Sequence, residues 1–288
     1  MFNADQAEGI RKMTQPSPVR VLAVSSGKGG VGKTNVAVNL GIGLTELGRR
    51  VAILDADMGL ANIDVLLGLQ PKYNLSHVLK GERTLAEIVL EGPSGLRIVP
   101  AASGIQRMSE LPVAEQAGLI RAFSEIGADL DVLIVDTAAG ISSGVVNFVR
   151  ACQDIIVVVC DEPTSLTDAY AFIKLMNRDH GIHRFHILTN MVQDAKQGQA
   201  LFDKLVRVTD QYLDVTLDLL GAIPRDDLLR KAVQRQQPVS LLFPQSKAAE
   251  AFRAAARQTD RLPYPGGSNG GLEFFVERLI DYRGPAHA

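Results

Sequence analysis

The stretch SSGKGGVGKTN, residues 25–35, has the residue types needed to hold a nucleotide's phosphates. Gly27, Gly32, Lys33 and Thr34 complete the spacing G-x-x-x-x-G-K-[ST]. Glycines at Gly27, Gly29, Gly30 and Gly32 let backbone N–H groups, including those of Val31 and Asn35, curl around phosphate oxygens. A helix opening here adds its N-terminal partial positive charge. In this pattern Lys33 holds the β- and γ-phosphates and the Thr34 hydroxyl ligates Mg²⁺. Lys28 is surplus, because the pattern leaves its position free.

Phosphoryl transfer also calls for acids at the ends of neighbouring strands. The run LIVDTAAG ends in Asp136, placed to reach Mg²⁺ directly or through water. The run AILDADMGLANID ends in Asp55 and Asp57, which alternate across a strand end. One can orient or deprotonate the attacking water while the other supports the metal shell. A guanine reader would show N-K-x-D after a late strand. Here that strand ends LTNMVQD, without the lysine or the correctly spaced aspartate, so ATP is favoured over GTP.

The elements that must position these groups are legible as apolar, β-branched runs alternating with longer helical stretches. Strands are predicted at 19–25, 50–56, 96–101, 131–137, 154–160, 184–190 and 218–224. Helical segments include 33–48, 113–127, 164–179, 194–209 and 245–260. Near-continuous Val/Ile/Leu strands imply burial on both faces. The fold class is therefore α/β: a single doubly wound, mainly parallel sheet flanked by helices. The expected organisation is an N-terminal extension (1–17), an ATPase domain (18–262), and a hinge with a C-terminal amphipathic helix (263–288).

Composition limits the function classes. With 30 basic against 32 acidic residues, the net charge is -2, which argues against a chain built to grip nucleic acid. The two cysteines, Cys152 and Cys160, are too few for a disulfide framework and form no CxxC, which excludes a paired-cysteine cluster carrier. The N-terminus lacks the apolar core of a secretory signal, and no run of about 18 apolar residues spans a membrane. A cytoplasmic protein is expected.

With these residues in hand, the chain resembles the MinD/ParA family of deviant-Walker ATPases. The likeness rests on GKGGVGKT, LDADMGLANID and VDTAAG in order, and covers roughly residues 18–240. It implies that Lys28 crosses the interface of an ATP-bound homodimer and touches the partner's phosphates. It also casts Asp57 as the water-positioning residue, and sets Asn190 and the segment Pro224, Arg225, Asp226 near the adenine. Within the family, DQAEGIRKM resembles an element of the branch that regulates flagellar number and placement; Asp5, Gln6, Ala7 and Arg11 match and Ile10 replaces Leu. ADMGLANIDVLLGL, VCDEPTSLTDAYAFIKLMNRDHG and LEFFVERL look like the same branch. That branch implies a signal-recognition-type GTPase (FlhF), a flagellar transcription activator and basal-body (C-ring) proteins as partners. Division-site placement and DNA or cargo positioning are the alternatives within the family.

In the tail, Leu272, Phe275, Val276, Leu279 and Ile280 share one helical face. The polar side carries Glu273, Glu277 and Asp281 against Arg278 and Arg283, whereas membrane-surface helices are normally Lys/Arg-rich. Reversible attachment to the inner face of the cell membrane and docking on the chain's own domain or a partner both fit. His180, His183 and His186 straddle a helix end and a strand start, with no pattern completing a zinc site.

Overall fold

The computed structural model describes residues 19–57, 62–100, 113–263 and 272–280, with the backbone alone at 113–117 and Glu273. The matched N-terminal residues Asp5, Gln6, Ala7 and Arg11 lie outside them.

Among the described residues eight strands form one sheet. They are β1 (Arg20–Ser25), β2 (Val51–Ala56), β3 (Leu90–Glu91), β4 (Arg97–Pro100), β5 (Val132–Thr137), β6 (Asp154–Cys160), β7 (Arg184–Val192) and β8 (Thr216–Pro224). Their order is β3-β4-β2-β5-β1-β6-β7-β8, parallel except for β3 against β4. All six residues of β1, β2 and β5 are buried, as apolar strands covered on both faces must be. The predicted strands match the seven longer ones to within a few residues. The two-residue edge strand β3 was not foreseen.

The helices are α1 (Lys33–Glu46), α2 (Ile63–Leu67), α3 (Leu75–Leu79), α4 (Leu85–Ile88), α5 (Val113–Gly127), α6 (Ser143–Ala151), α7 (Pro163–His180), α8 (Ala195–Tyr212), α9 (Asp227–Gln234), α10 (Val239–Leu242), α11 (Lys247–Asp260) and α12 (Leu272–Ile280). Successive β1 side chains alternate between two cores, one on each face of the sheet. Val21 and Ala23 join Phe123 of α5, Phe148 of α6, Phe172 of α7 and Leu205 of α8. Leu22 and Val24 join Leu40 of α1 and Phe252 of α11. The connections leaving β1 and β6, adjacent strands, therefore run over opposite faces and open a crevice at their carboxyl ends. That is where doubly wound folds bind ligands.

Helix α12 settles where its apolar face goes in this structure. Leu272, Phe275, Val276, Leu279 and Ile280 are all buried in the core shared with α5 and α6, while Phe274, Glu277 and Arg278 are exposed. Of the two expectations for the tail, docking on its own domain is the arrangement seen. No described helix is long and apolar enough to cross a membrane.

The opposite end of the sheet carries a polar cluster that positions the three histidines. His186 is buried, with Nε2 3.3 Å from Asp154 and Nδ1 3.6 Å from Asp218. Arg20 pairs with Asp154 at 3.4 Å and donates to the Leu262 carbonyl at 2.7 Å, tying down the end of the domain. His183 Nδ1 lies 2.8 Å from the Asp214 carbonyl oxygen, and His180 ends α7.

Candidate nucleotide site

The phosphate loop joins β1 to α1 at the crevice. Gly32 caps α1 with φ 89°, the left-handed region that glycine enters without strain, and no side chain caps the helix. The first N–H groups of α1 are thus left for an anion. Two neighbours hold the loop in shape. Asn190, buried at the end of β7, donates from Nδ2 to the Val31 carbonyl at 2.7 Å and accepts from the Met191 N–H at 2.9 Å. On the other side Gly27 presses against α7 so closely that a Cβ would stand 2.1 Å from the Asp168 carbonyl oxygen. Any side chain there would push the loop off the helix. Ser26 adds a hydroxyl hydrogen bond to the Lys28 carbonyl at 2.7 Å, and the Gly140 N–H donates to the Ser26 carbonyl at 2.9 Å, joining the loop to the segment after β5.

The two lysines of the loop have different surroundings. Lys33 is buried, and loss of hydration lowers its pKa, while Asp136 and Asp57 pull it back up. A dry ammonium of this kind is suited to phosphate oxygens. Lys28 lies at the surface, where its ammonium donates to Glu162 Oε2 at 2.6 Å and to Thr164 Oγ1 at 2.8 Å at the start of α7. That hydrogen bond to Glu162 raises the Lys28 pKa.

The three aspartates converge because β2, β5 and β1 are adjacent. Asp55 and Asp136 are register partners across β2 and β5, and Asp136 faces Val24 of β1. Asp55 spends both oxygens on its own loop: Oδ1 accepts the Asp57 N–H at 3.3 Å, and Oδ2 accepts those of Asn62 and Ile63 at 3.2 and 3.3 Å. It is pushed up to about 6 by burial, against the pull of those bonds. It thereby organises the segment that follows β2. Asp57 is half-buried and accepts from Asn62 Nδ2 at 3.1 Å.

Asp136 is the acid left over. It is fully buried, and neither carboxylate oxygen has a hydrogen bond of good geometry among the described residues, although the Thr34 hydroxyl stands close enough to attract it. Burial first, then Asp55 and Asp57, push it up to about 7, with the Thr34 hydroxyl and Lys33 opposing. A buried carboxylate near a threonine hydroxyl fits a hard divalent cation, which would supply positive charge against the phosphates. Asp136 and Thr34 are the residues that would hold Mg²⁺.

This arrangement fixes a pH dependence. The folded pKa of about 7 exceeds the ordinary 3.8, so folding takes up a proton between those values. The contribution of Asp136 to the stability of the metal-free chain should then fall as pH rises through that window. Asp136→Asn removes the ionisation. Without metal it should be more stable than the parent near pH 8, on the order of 2 kcal/mol after allowing for an unpaired amide, with no advantage near pH 4. Denaturant melts at the two pH values check this.

The remaining expected nucleotide contacts have structural duties. Asp226 caps α9 through the Leu228 N–H at 2.8 Å and accepts the Ala248 N–H at 3.1 Å, joining α9 to α11. The Arg225 N–H donates to the Val192 carbonyl at 2.7 Å, so Pro224–Asp226 lies beside the end of β7 that carries Asn190. Both cysteines are buried, and burial raises their thiols, Cys160 to about 11. Sequence reasoning missed Glu162 and Thr164 as partners of Lys28, and Asn62 as the partner of Asp57.

Sheet order, loop and converging acids define a P-loop nucleoside triphosphatase. The ParA family, described as NUBPL iron-transfer P-loop NTPases, matches residues 18–260, and the chain belongs to it. Antiactivator FleN of Pseudomonas aeruginosa is 57% identical over 273 residues, covering 95% of this chain and 98% of that protein. The flagellum site-determining protein YlxH of Helicobacter pylori is 33% identical over 272 residues, covering 92% and 91%. A chain of the MinC:MinD cell division protein complex of Aquifex aeolicus superposes with TM-score 0.69 at 26% identity, covering 86% of this chain and 99% of that one.

Proposed function

We propose that this chain is an ATP-driven dimerisation switch that regulates flagellar number and assembly. The observation that carries the switch is the division of labour in the loop. Lys33 is buried where phosphates are held, whereas Lys28, in the same loop, reaches the surface at the start of α7. A second cation so placed is suited to the nucleotide of a partner chain. Two subunits would then have to meet before hydrolysis, with ATP and Mg²⁺ bound at each loop. The flagellar assignment is supported by likeness to FleN and YlxH over more than nine-tenths of the chain.

In this reading the ATP-bound homodimer engages a flagellar transcription activator and basal-body proteins, and hydrolysis returns it to single chains. Residues 1–17, with Asp5, Gln6, Ala7 and Arg11, stimulate a signal-recognition-type GTPase (FlhF). Helix α12 must leave its own core before its apolar face can meet a membrane.

The experiment compares the full chain, loaded with Mg²⁺ and a non-hydrolysable ATP analogue, with a chain lacking residues 1–12. The full chain should raise the GTPase turnover of FlhF, and the truncated one should not, while both hydrolyse ATP at the same rate. Equal stimulation by the truncated chain overturns the assignment of the N-terminal element.

A further inference from the structure

We propose that residues 1–13 dock on their own chain, in the groove between α5 and the turn that joins α3 to α4. The docking stands apart from the function proposed above; only its consequence, that a partner must draw these residues out, rests on that reading.

The groove has a volume of about 430 Å³. Its floor is apolar, built from Val78 and Leu79 of α3, Leu85 of α4, and Leu119 and Ala122 of α5. Two glycines keep it open. A Cβ at Gly118 or at Gly81 would meet nothing within 4 Å among the described residues. Gly118 lies inside α5 without a left-handed backbone, at a position where alanine would favour the helix and fit. Its effect on the structure is the space it leaves. The rim is charged, with Lys80, Arg83 and Arg121 around it and Glu125 at one end. Tyr73 holds Arg83, its ring 4.3 Å from the guanidinium and its hydroxyl accepting at 2.9 Å. Arg121 and Glu125 pair at 3.3 Å, but both are so exposed that water or another charge replaces the contact readily.

The occupant follows from where the chain leaves the described residues. Val19 is buried beside the end of α5, where a Cβ on Gly127 would stand 3.9 Å from Val19 Cγ2. Along the helix axis Glu125 is about 3 Å from that exit and Gly118 about 14 Å. Residues 13–19, extended, span about 20 Å, so the tether reaches the whole groove. The order of charges matches as well. Residues 1–10 carry Asp5 and Glu8 and neither Lys nor Arg, and Arg11 and Lys12 follow. A course back along α5 from Val19 sets Arg11 and Lys12 near Glu125, and Glu8 and Asp5 further in, among Arg121, Lys80 and Arg83. Phe2, Ile10 and Met13 supply apolar side chains for the floor. Tethering makes a modest fit sufficient. A short flexible linker gives an effective concentration in the mM range, so a groove with a Kd of about 0.1 mM for the free segment is about nine-tenths filled.

Amide hydrogen exchange on the full-length, nucleotide-free chain, pulse-labelled and read by mass spectrometry, tests the proposal. Peptides from residues 2–13 should exchange about tenfold more slowly than a synthetic peptide of the same sequence, at every protein concentration. Gly118→Leu fills the groove away from the nucleotide site and should abolish that difference. Arg121→Glu should reduce it about two- to fivefold, as should Glu8→Lys, and the two together should restore it, which no general loss of fold would do. Exchange of residues 2–13 at the free-peptide rate in the parent overturns the proposal, as does protection that survives Gly118→Leu. Protection that grows with protein concentration assigns the groove to a second copy and overturns docking in cis. The consequence has its own readout: Gly118→Leu should stimulate the partner GTPase half-maximally at a lower concentration than the parent. Docking without that shift removes the consequence alone.

Discussion

Lys28→Ala should bind nucleotide as tightly as the parent, stay a single chain, and hydrolyse ATP about 10³- to 10⁵-fold more slowly, the range for a cation supplied in trans to a transferring phosphoryl group. Each part follows from the loop's geometry. Binding survives because Lys33, Thr34 and the uncapped start of α1 would form the phosphate cradle, whereas the Lys28 ammonium hydrogen-bonds to Glu162 and Thr164. In the proposed switch hydrolysis fails because Lys33 serves the chain's own nucleotide and no second cation reaches the partner's. The fold tolerates the change: Lys28 is half-exposed and its partners Glu162 and Thr164 lie at the surface, so no buried charge is stranded. Fluorescent-nucleotide binding, phosphate release and light scattering separate the three effects. A variant with normal affinity, normal turnover and a normal dimer would remove the switch.

Much of this site can be read from the residues because its chemistry is local in sequence. The loop spans a few consecutive positions, and its acids fall where apolar runs stop, which is where parallel strands deliver side chains to a common edge. Burial on both faces made the long strands legible. By contrast β3 and the helices α2–α4 are two to five residues long, too short for any period to register. Contacts between distant segments were out of reach for another reason. Lys28 and Glu162 are separated by 134 positions, and Val31 and Asn190 by 159. Nothing in either segment names the other. Asp55 shows the limit from the opposite side: the strand-end pattern located it, but the backbone N–H groups of Asn62 and Ile63 that it accepts were not legible.

The same loop makes Asp57 the counterpart of Lys28. Asp57→Ala should bind ATP and pair normally, lose about 10²- to 10⁴-fold in turnover, and accumulate as a nucleotide-loaded dimer. Asp57 follows the end of β2, where Asp55 accepts its N–H and Asn62 holds Oδ2, so its carboxylate is held in place without being buried. It lies near enough to Lys33 and Asp136 to influence the ionisation of both, so the three charged groups share one end of the crevice. In the proposed switch this carboxylate aligns the attacking water and takes its proton, while Asp55 has both oxygens engaged by its own loop and Asp136 would hold the cation. Removing it leaves phosphate grip, cation site and Lys28 untouched, so pairing proceeds and only the exit from the paired state is lost. Light scattering after ATP addition should show a dimer that persists for as long as ATP lasts in the variant and decays in the parent. A dimer that dissolved at the parental rate would assign water activation to another residue.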